Sequence, residues 1–276
     1  MSNMVINTNV LALNSHRSMK NVGAAIARSS ERLSSGLRIN RAADDAAGLA
    51  ISEKMRAQIR GLAQASTNAA DGVSLVQTAE GALQEVQDML HRMRQLALQA
   101  GNDTLQLEDR RLIQLEVSQL IQEIDATAAR TEFNQRKLIN GDASAGLHLQ
   151  IGANQGQGMT IRIGNMDAAS LTVDDVTISV TNGAVAAGVL TAIDEAITAI
   201  SEQRAHLGAY QNRLEHTIRN LDVSHENLSA AESRIRDADM AKEMMRLTQN
   251  NVLGQAAISM LAQANQGPQS LLQLLR

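Results

Sequence analysis

Several stretches carry residues able to do chemistry, and each also has a plainer use. "GANQGQG" places Gly152, Gly156 and Gly158 in the pattern of a phosphate loop. Such a loop needs a Lys followed by Ser or Thr at the start of a helix. No Lys stands here and β-type residues follow, so the stretch reads as a turn. "RDADMAKE" gathers Asp237, Asp239 and Glu243, which could hold a hard cation. It lacks the twelve-residue calcium-loop pattern, and Arg234, Arg236 and Lys242 stand beside the acids. A junction and helix-cap role fits better. His16, His91, His148, His206, His216 and His225 form neither an H-E-x-x-H motif nor an i,i+4 pair, so no metal site is expected. With no cysteine, thiolate ligands, disulfides and a Cys nucleophile are excluded. No serine occupies a G-x-S-x-G elbow. Asn102-Asp-Thr104 and Asn227-Leu-Ser229 match the N-glycosylation pattern, which is frequent by chance. No catalytic residue, cofactor or metal is expected.

The composition points to a different kind of molecule. Phe133 and Tyr210 are the only aromatic residues, and Pro268 is the only proline among 276 residues. Average usage of about 5% would give roughly 14 prolines. Such a chain favours long uninterrupted helices. The first 43 residues carry six cations against Glu31. A basic arm can bind nucleic acid or anionic lipid. Without aromatic residues to stack on bases, and with an acidic remainder, the cations are expected to meet acidic neighbours, and no nucleic-acid partner is expected. No conventional secretory signal opens the chain, and no apolar run reaches the roughly 18–20 residues of a membrane span.

Periodicity supplies the elements. From Met55 through Ile59, Leu62, Ser66, Ala69, Val73, Val76, Ala79, Leu83, Val86, Leu90, Met93 and Ala97 to Ala100, apolar residues recur in steps of four and three, with one slip at Val73–Val76–Ala79. That is a coiled-coil seam. A helix of about 55 residues measures roughly 80 Å. Gly101 suits its stop, and Asn102, Asp103 or Thr104 is expected to cap a next helix near 105–129. Leu147, Leu149 and Ile151, then Met159, Ile161 and Ile163, alternate with polar residues around the glycine-rich loop and read as a β-hairpin. Leu171, Val173, Val176, Ile178 and Val180 suggest further extended structure. From Leu190 to Ile235 the seam returns, interrupted by Arg204, Gln211, His225 and Glu232. Buried polar residues of this kind fix register and partner choice.

The two ends, 5–33 and 240–275, read as amphipathic helices that pair with each other. "SSGLRINRAADD" joins the first to the long helix, with Gly36 as breaker and Asp44 or Asp45 as cap. Two helices bury only one face each. Ile6, Val10, Leu13, Leu261, Leu271, Leu272, Leu274 and Leu275 are then left to find cover on other copies of the chain. A rod with adhesive ends and no closing partner grows into a filament. The expected fold is mainly α: a long coiled-coil-like helical rod with a small β-hairpin region and paired N- and C-terminal helices. The expected divisions are 1–43 (N-terminal helix and connector), 44–139 (central rod helices), 140–189 (hairpin and short variable region), 190–236 (return helix) and 237–276 (C-terminal helix).

"INTNVLALNSHRSM" (6–19), "SSERLSSGLRINRAADDAAGLAISEKMRAQIRGL" (29–62) and "DGVSLVQTAEGALQEVQDMLHRMRQLALQA" (71–100) resemble the N-terminal half of a bacterial flagellin. "RAHLGAYQNRLEHTIRNL" (204–221), "NLSAAESRIRDADMAKEMM" (227–245) and "NNVLGQAAISMLAQANQGPQSLLQLL" (250–275) resemble its C-terminal half. The middle, about 140–190, is short, which implies a form without large outer domains. The resemblance implies a self-polymerising subunit of the swimming filament, with terminal helices as inner tube and central helices as surrounding layer. The alternative it leaves is a hook–filament junction adapter. It implies export through the flagellar type III channel without a cleaved signal, and an extracellular location. The implied partners are further copies of the chain, a cap protein, hook–filament junction proteins, an export chaperone for the C-terminal helix and the host flagellin-sensing Toll-like receptor. "LHRMRQLALQ" (90–99) resembles the stretch that receptor sees. Arg92, Leu96 and Glu116 are thereby the recognition candidates, with His91 and Gln95 departing from the family's usual residues.

Overall fold

The computed structural model describes residues 8–174, 176–177 and 183–274, with side chains described for 8–174, 176–177 and 188–266. The expected Ile6 and Leu275, the side chains of Leu271, Leu272 and Leu274, and the extended positions Ile178 and Val180 lie outside the described residues. The chain divides into two units: residues up to 57 together with those from 227 on, and residues 58–226.

In the first unit, α1 (Val10–Ser35) starts at Asn9, whose carboxamide oxygen accepts the Ala12 N–H at 3.0 Å. It ends where Gly36 takes φ 72°, a left-handed conformation that glycine adopts without steric cost. The expected cap of the next helix is Asp45, which accepts the Gly48 N–H at 2.8 Å. Asp44 instead accepts the Asn40 and Arg41 N–H groups, closing the preceding turn. Leu37 pairs with Asp237 in an isolated antiparallel bridge. Asp239 then caps the last helix by accepting the Lys242 N–H.

In the second unit, α2 (Ala46–Ala100) enters from the first and carries the seam. Ala69, Val76, Ala79, Leu83, Val86, Leu90, Met93, Ala97 and Ala100 are buried, as the 3–4 spacing predicts. α3 (Leu107–Arg130) buries Ile113, Val117, Ile124 and Ala128 against the same core. Its cap differs from expectation. Asp109 reaches back to the Gln106 N–H at 3.1 Å, while Asn102 turns on itself to accept the Thr104 N–H. A carboxylate inside the first turn also complements the helix dipole, so it displaces the upstream candidates.

Four short strands follow. β1 (Glu132–Phe133) and β2 (Arg136–Lys137) form a hairpin that the alternation did not reveal. Two-residue strands are too short for a periodic signal, and the turn uses Asn134 and Gln135 at φ 50° and 64°. β3 (Leu147–Gln150) and β4 (Gly158–Ile161) form the expected hairpin, with Leu147 opposite Ile161 and Leu149 opposite Met159. Residues 171–174, expected to be extended, are turns instead. Leu171, Val173 and Val176 are buried without any strand partner. Their backbone is tied locally, the Leu171 N–H donating to the Asp167 carbonyl, the Val173 N–H to the Ala168 carbonyl and the Val176 N–H to the Val173 carbonyl, while the Gln114 amide donates to the Val176 carbonyl. Burial made the alternating pattern; pairing did not.

α4 (Gly183–Arg236) buries Ile193, Ile200, Leu207, Leu214 and Leu221, one every heptad. α5 (Met240–Leu274) completes the chain. The arrangement is the expected mainly helical fold with small antiparallel hairpins.

Candidate assembly and recognition surfaces

α1 and α5 run antiparallel, and the contacts recur along their length. The Asn9 carboxamide donates to the Ala264 carbonyl at 2.7 Å. Val22 and Ile26 lie against Gly254. Near the junction, the Ser29 hydroxyl donates to Glu243 at 2.7 Å. Glu243 is only 4% exposed, with Arg246 at 3.1 Å and Arg32 at 3.9 Å. A buried carboxylate is tolerated because these donors satisfy it. "RDADMAKE" therefore serves as helix cap and interhelical clamp, and Arg32 of the basic arm meets an acid as expected. Arg41 likewise pairs with Glu31 at 3.0 Å.

Pairing leaves most of the apolar surface of these helices uncovered. Val10, Leu11 and Leu13 on α1 are 61%, 59% and 62% exposed. On α5 the exposed set includes Met244, Val252, Ile258 and Met260. From Leu247 to Leu275 there is no charged residue at all. A helix apolar on more than one side is stable in water only when covered on more than one side. Of the polymerisation candidates, Val10 and Leu13 stand exposed and Leu261 is half-buried; Leu13, His16 and Leu261 line an open groove between the helices.

The recognition candidates lie in the other unit. Arg92 on α2 and Glu116 on α3 form an ion pair at 2.7 Å, each about half exposed. Leu96, one turn on from Arg92, is 2% exposed and part of the core. The helical spacing alone put Arg92 and Leu96 on one face. Packing divides that face: Leu96 joins the core and Arg92 stays at the surface. Sequence reasoning missed the apolar residues on the outer side of α3: Leu107, Leu112 and Leu115 are 66%, 60% and 61% exposed. Their excess over the buried stripe Ile113, Val117 and Ile124 was the available signal.

On the opposite flank of α2, Arg94 donates to Asp194 of α4 at 2.6 Å. That hydrogen bond, with the carboxylate charge, raises the guanidinium's hold on its proton. Two of the seam's polar interruptions, Arg204 and Glu232, form ion pairs. Arg204 reaches Glu80 at 3.6 Å, and Glu232 reaches Arg56 at 3.4 Å. In the loop after β4, burial alone would raise the Asp167 carboxyl. Hydrogen bonds from Ser170 and Asn165 outweigh it and hold the group below the usual carboxylate range.

No helix among the described residues is long and apolar enough to cross a membrane. Comparison with known proteins gives a consistent result. Residues 6–144 match the bacterial flagellin N-terminal helical region, and residues 190–275 match the bacterial flagellin C-terminal helical region. The chain is 53% identical to a flagellin of Halalkalibacterium halodurans over 99% of its own length and the whole of that protein. It is 51% identical to a flagellin of Bacillus subtilis, again over 99% of this chain and all of that one. The crystal structure of Bacillus cereus flagellin is similar with a TM-score of 0.51 and 32% identity, covering 60% of this chain and 94% of that one.

Proposed function

The chain belongs to the bacterial flagellin family and is a structural subunit of the flagellar filament, and we propose that its paired terminal helices are the elements by which neighbouring copies hold each other. Flagellins self-assemble, and the filament they form is an extracellular structure. At 276 residues this is a short form without a large variable domain. The hook–filament junction adapter is not favoured, because the full-length relatives are flagellins. The family is structural, and we assign the chain no catalytic role.

The observation that carries the assembly reading is the exposed apolar surface on both α1 and α5, from Val10, Leu11 and Leu13 to Val252, Ile258 and Met260. In the filament, segments 1–43 and 237–276 form the inner tube. Segments 44–139 and 190–236, together with the hairpin of 140–189, form the layer around it. Ile6, Val10, Leu13, Leu261, Leu271, Leu272, Leu274 and Leu275 are the contacts between copies. The chain leaves the cell through the flagellar type III channel. A chaperone shields the C-terminal helix before export, and a cap protein and hook–filament junction proteins bound the growing fibre. The host flagellin-sensing Toll-like receptor binds the Arg92–Glu116 surface, with Leu96 in the core one turn on from Arg92, and does so on the monomer.

Removal of residues 265–276 tests the assembly reading. Burial of each leucine is worth about 1.5–3 kcal/mol, so the truncated chain should stay monomeric on seeding while the 58–226 unit keeps its helix content by circular dichroism. Normal fibres from the truncated chain, seen by electron microscopy, would show that α5 is not the adhesive element.

A further inference from the structure

We propose that four methionines of α5, Met240, Met244, Met245 and Met260, are sites of reversible oxidation by peroxide, and that a monomer so oxidised is refused by the growing fibre. This rests on the reading of α5 as a contact between copies and names a chemical control on it.

The observation is where the exposed thioethers stand. Of the twelve methionines, ten have described side chains. Met93, Met159 and Met166 are buried, and Met19, Met55 and Met89 are half-buried. The other four are 46–66% exposed, and all four are on α5. On every other helix the large exposed apolar side chains, among the described residues, are Leu, Ile or Val. On α5 four of the seven are Met. Packing alone does not ask for this, because Leu is as apolar and better defined in its rotamers. What Met adds is a soft, oxidisable sulfur. The chain has no cysteine, so thioethers are its only sulfur chemistry.

The helix presents these sulfurs away from its partner. Glu243, bonded to Ser29 and close to Arg32 of α1, marks the side of α5 that faces α1. Met245 follows two residues later, about 200° around the helix, and so points away from α1. Met240 and Met244 stand one turn apart on a flank. Met260 lies in the stretch from Leu247 to Leu275, which carries no charge.

The step is a two-electron oxygen transfer. The thioether sulfur attacks one oxygen of hydrogen peroxide, so that an S–O bond forms and the O–O bond breaks. The departing hydroxide takes the proton from the transferred oxygen and leaves as water. Sulfur ends as the sulfoxide, and the peroxide is reduced. No catalytic group is needed, only access, and the free monomer provides it. The product is a polar, chiral acceptor on a formerly apolar side chain. Pressed against an apolar face of another copy, an acceptor without a donor is penalised. Once copies have joined, the same burial shields the sulfur. The control therefore acts on the incoming monomer and leaves the finished fibre intact.

Hydrogen peroxide on the full chain tests this, with sites mapped by peptide mass spectrometry and elongation of untreated fibre fragments followed by light scattering. In monomer the four sulfurs should oxidise at least about tenfold faster than those of Met93, Met159 and Met166, as exposure dictates. Elongation by the oxidised monomer should fall at least about tenfold. In fibres the four should oxidise at least about tenfold more slowly than in monomer. Methionine sulfoxide reductases should return elongation to within about twofold of the untreated rate. A variant combining Met240→Leu, Met244→Leu, Met245→Leu and Met260→Leu should elongate after peroxide within about threefold of its own untreated rate. Oxidised wild type that elongates normally, or a quadruple variant slowed by peroxide as much as wild type, would overturn the proposal alone. So would oxidation of the four as fast in fibres as in monomer. So would a loss of rate whose time course follows Met19, Met55 or Met89, a measurement that requires no variant to fold. Failure of the untreated chain to elongate its own fibre fragments would overturn the filament reading and this proposal together.

Discussion

Two glycines on α2 provide a test in which one substitution should have opposite signs at two places. Gly61 and Gly81 both lie inside the helix. A methyl group added at Gly81 meets nothing within 4 Å. At Gly61 it meets the Ala153 Cβ at 2.9 Å and the Ala153 Cα, a backbone atom, at 3.3 Å. Ala153 belongs to the β3–β4 loop, whose position is further tied by the Asn68 amide donating to the Gln150 carbonyl at 3.0 Å. Backbone held in this way cannot swing aside as a side-chain end could. Alanine for glycine in a helix interior is favourable by about 0.5–1 kcal/mol. Overpacking costs about 1–3 kcal/mol. Gly81→Ala should therefore stabilise by about 0.5–1 kcal/mol, and Gly61→Ala should destabilise by about 0.5–2 kcal/mol. The helix term is common to both, so their difference isolates the close approach of the hairpin. Urea unfolding of the monomer, followed by hydrogen exchange of amides in the 58–226 unit, reads both values on the same element. If Gly61→Ala stabilises as much as Gly81→Ala, the hairpin is not seated against α2 as described and the packing argument fails.

Two further outcomes follow from named groups. The Asp167 carboxyl is held below its ordinary value of 3.8 in the folded chain, so its contribution is present above that value and lost as pH falls through the lower, folded one. Asp167→Asn should lower stability at pH 7 by about 1 kcal/mol, with the gap from wild type closing as pH falls through the lowered folded value; a gap that stays constant into acid would refute the assignment. Arg92→Ala should weaken activation of the flagellin-sensing receptor by monomer while changing stability by less than about 1 kcal/mol, as for an exposed ion pair. Leu96→Ala should cost about 2–5 kcal/mol of stability through the core; unchanged activation by both Arg92→Ala and Glu116→Ala would remove this surface from recognition.

The sequence by itself determined the helices, their seams and the principal hairpin. Each rests on a local repeat long enough to count: Leu83, Val86, Leu90 and Met93 recur in steps of three and four wherever the chain is placed, and Met159 and Ile161 alternate within one strand. It also determined the breaks, because Gly36 reaches φ 72° without a Cβ to clash. The surfaces depended on the fold. Leu96 and Arg92 share a face on a helical wheel, and only tertiary packing buries one in the core and leaves the other paired with Glu116 of α3. Leu171, Val173 and Val176 suggest a strand yet form none, because their N–H groups bond carbonyls three to five residues back rather than another strand. Leu112 and Leu115 read as ordinary helix leucines until Ile113 and Val117 have taken the core face. Periodicity is a property of consecutive residues. Which side of a helix stays wet depends on groups tens of residues away, and tertiary structure alone brings those groups together.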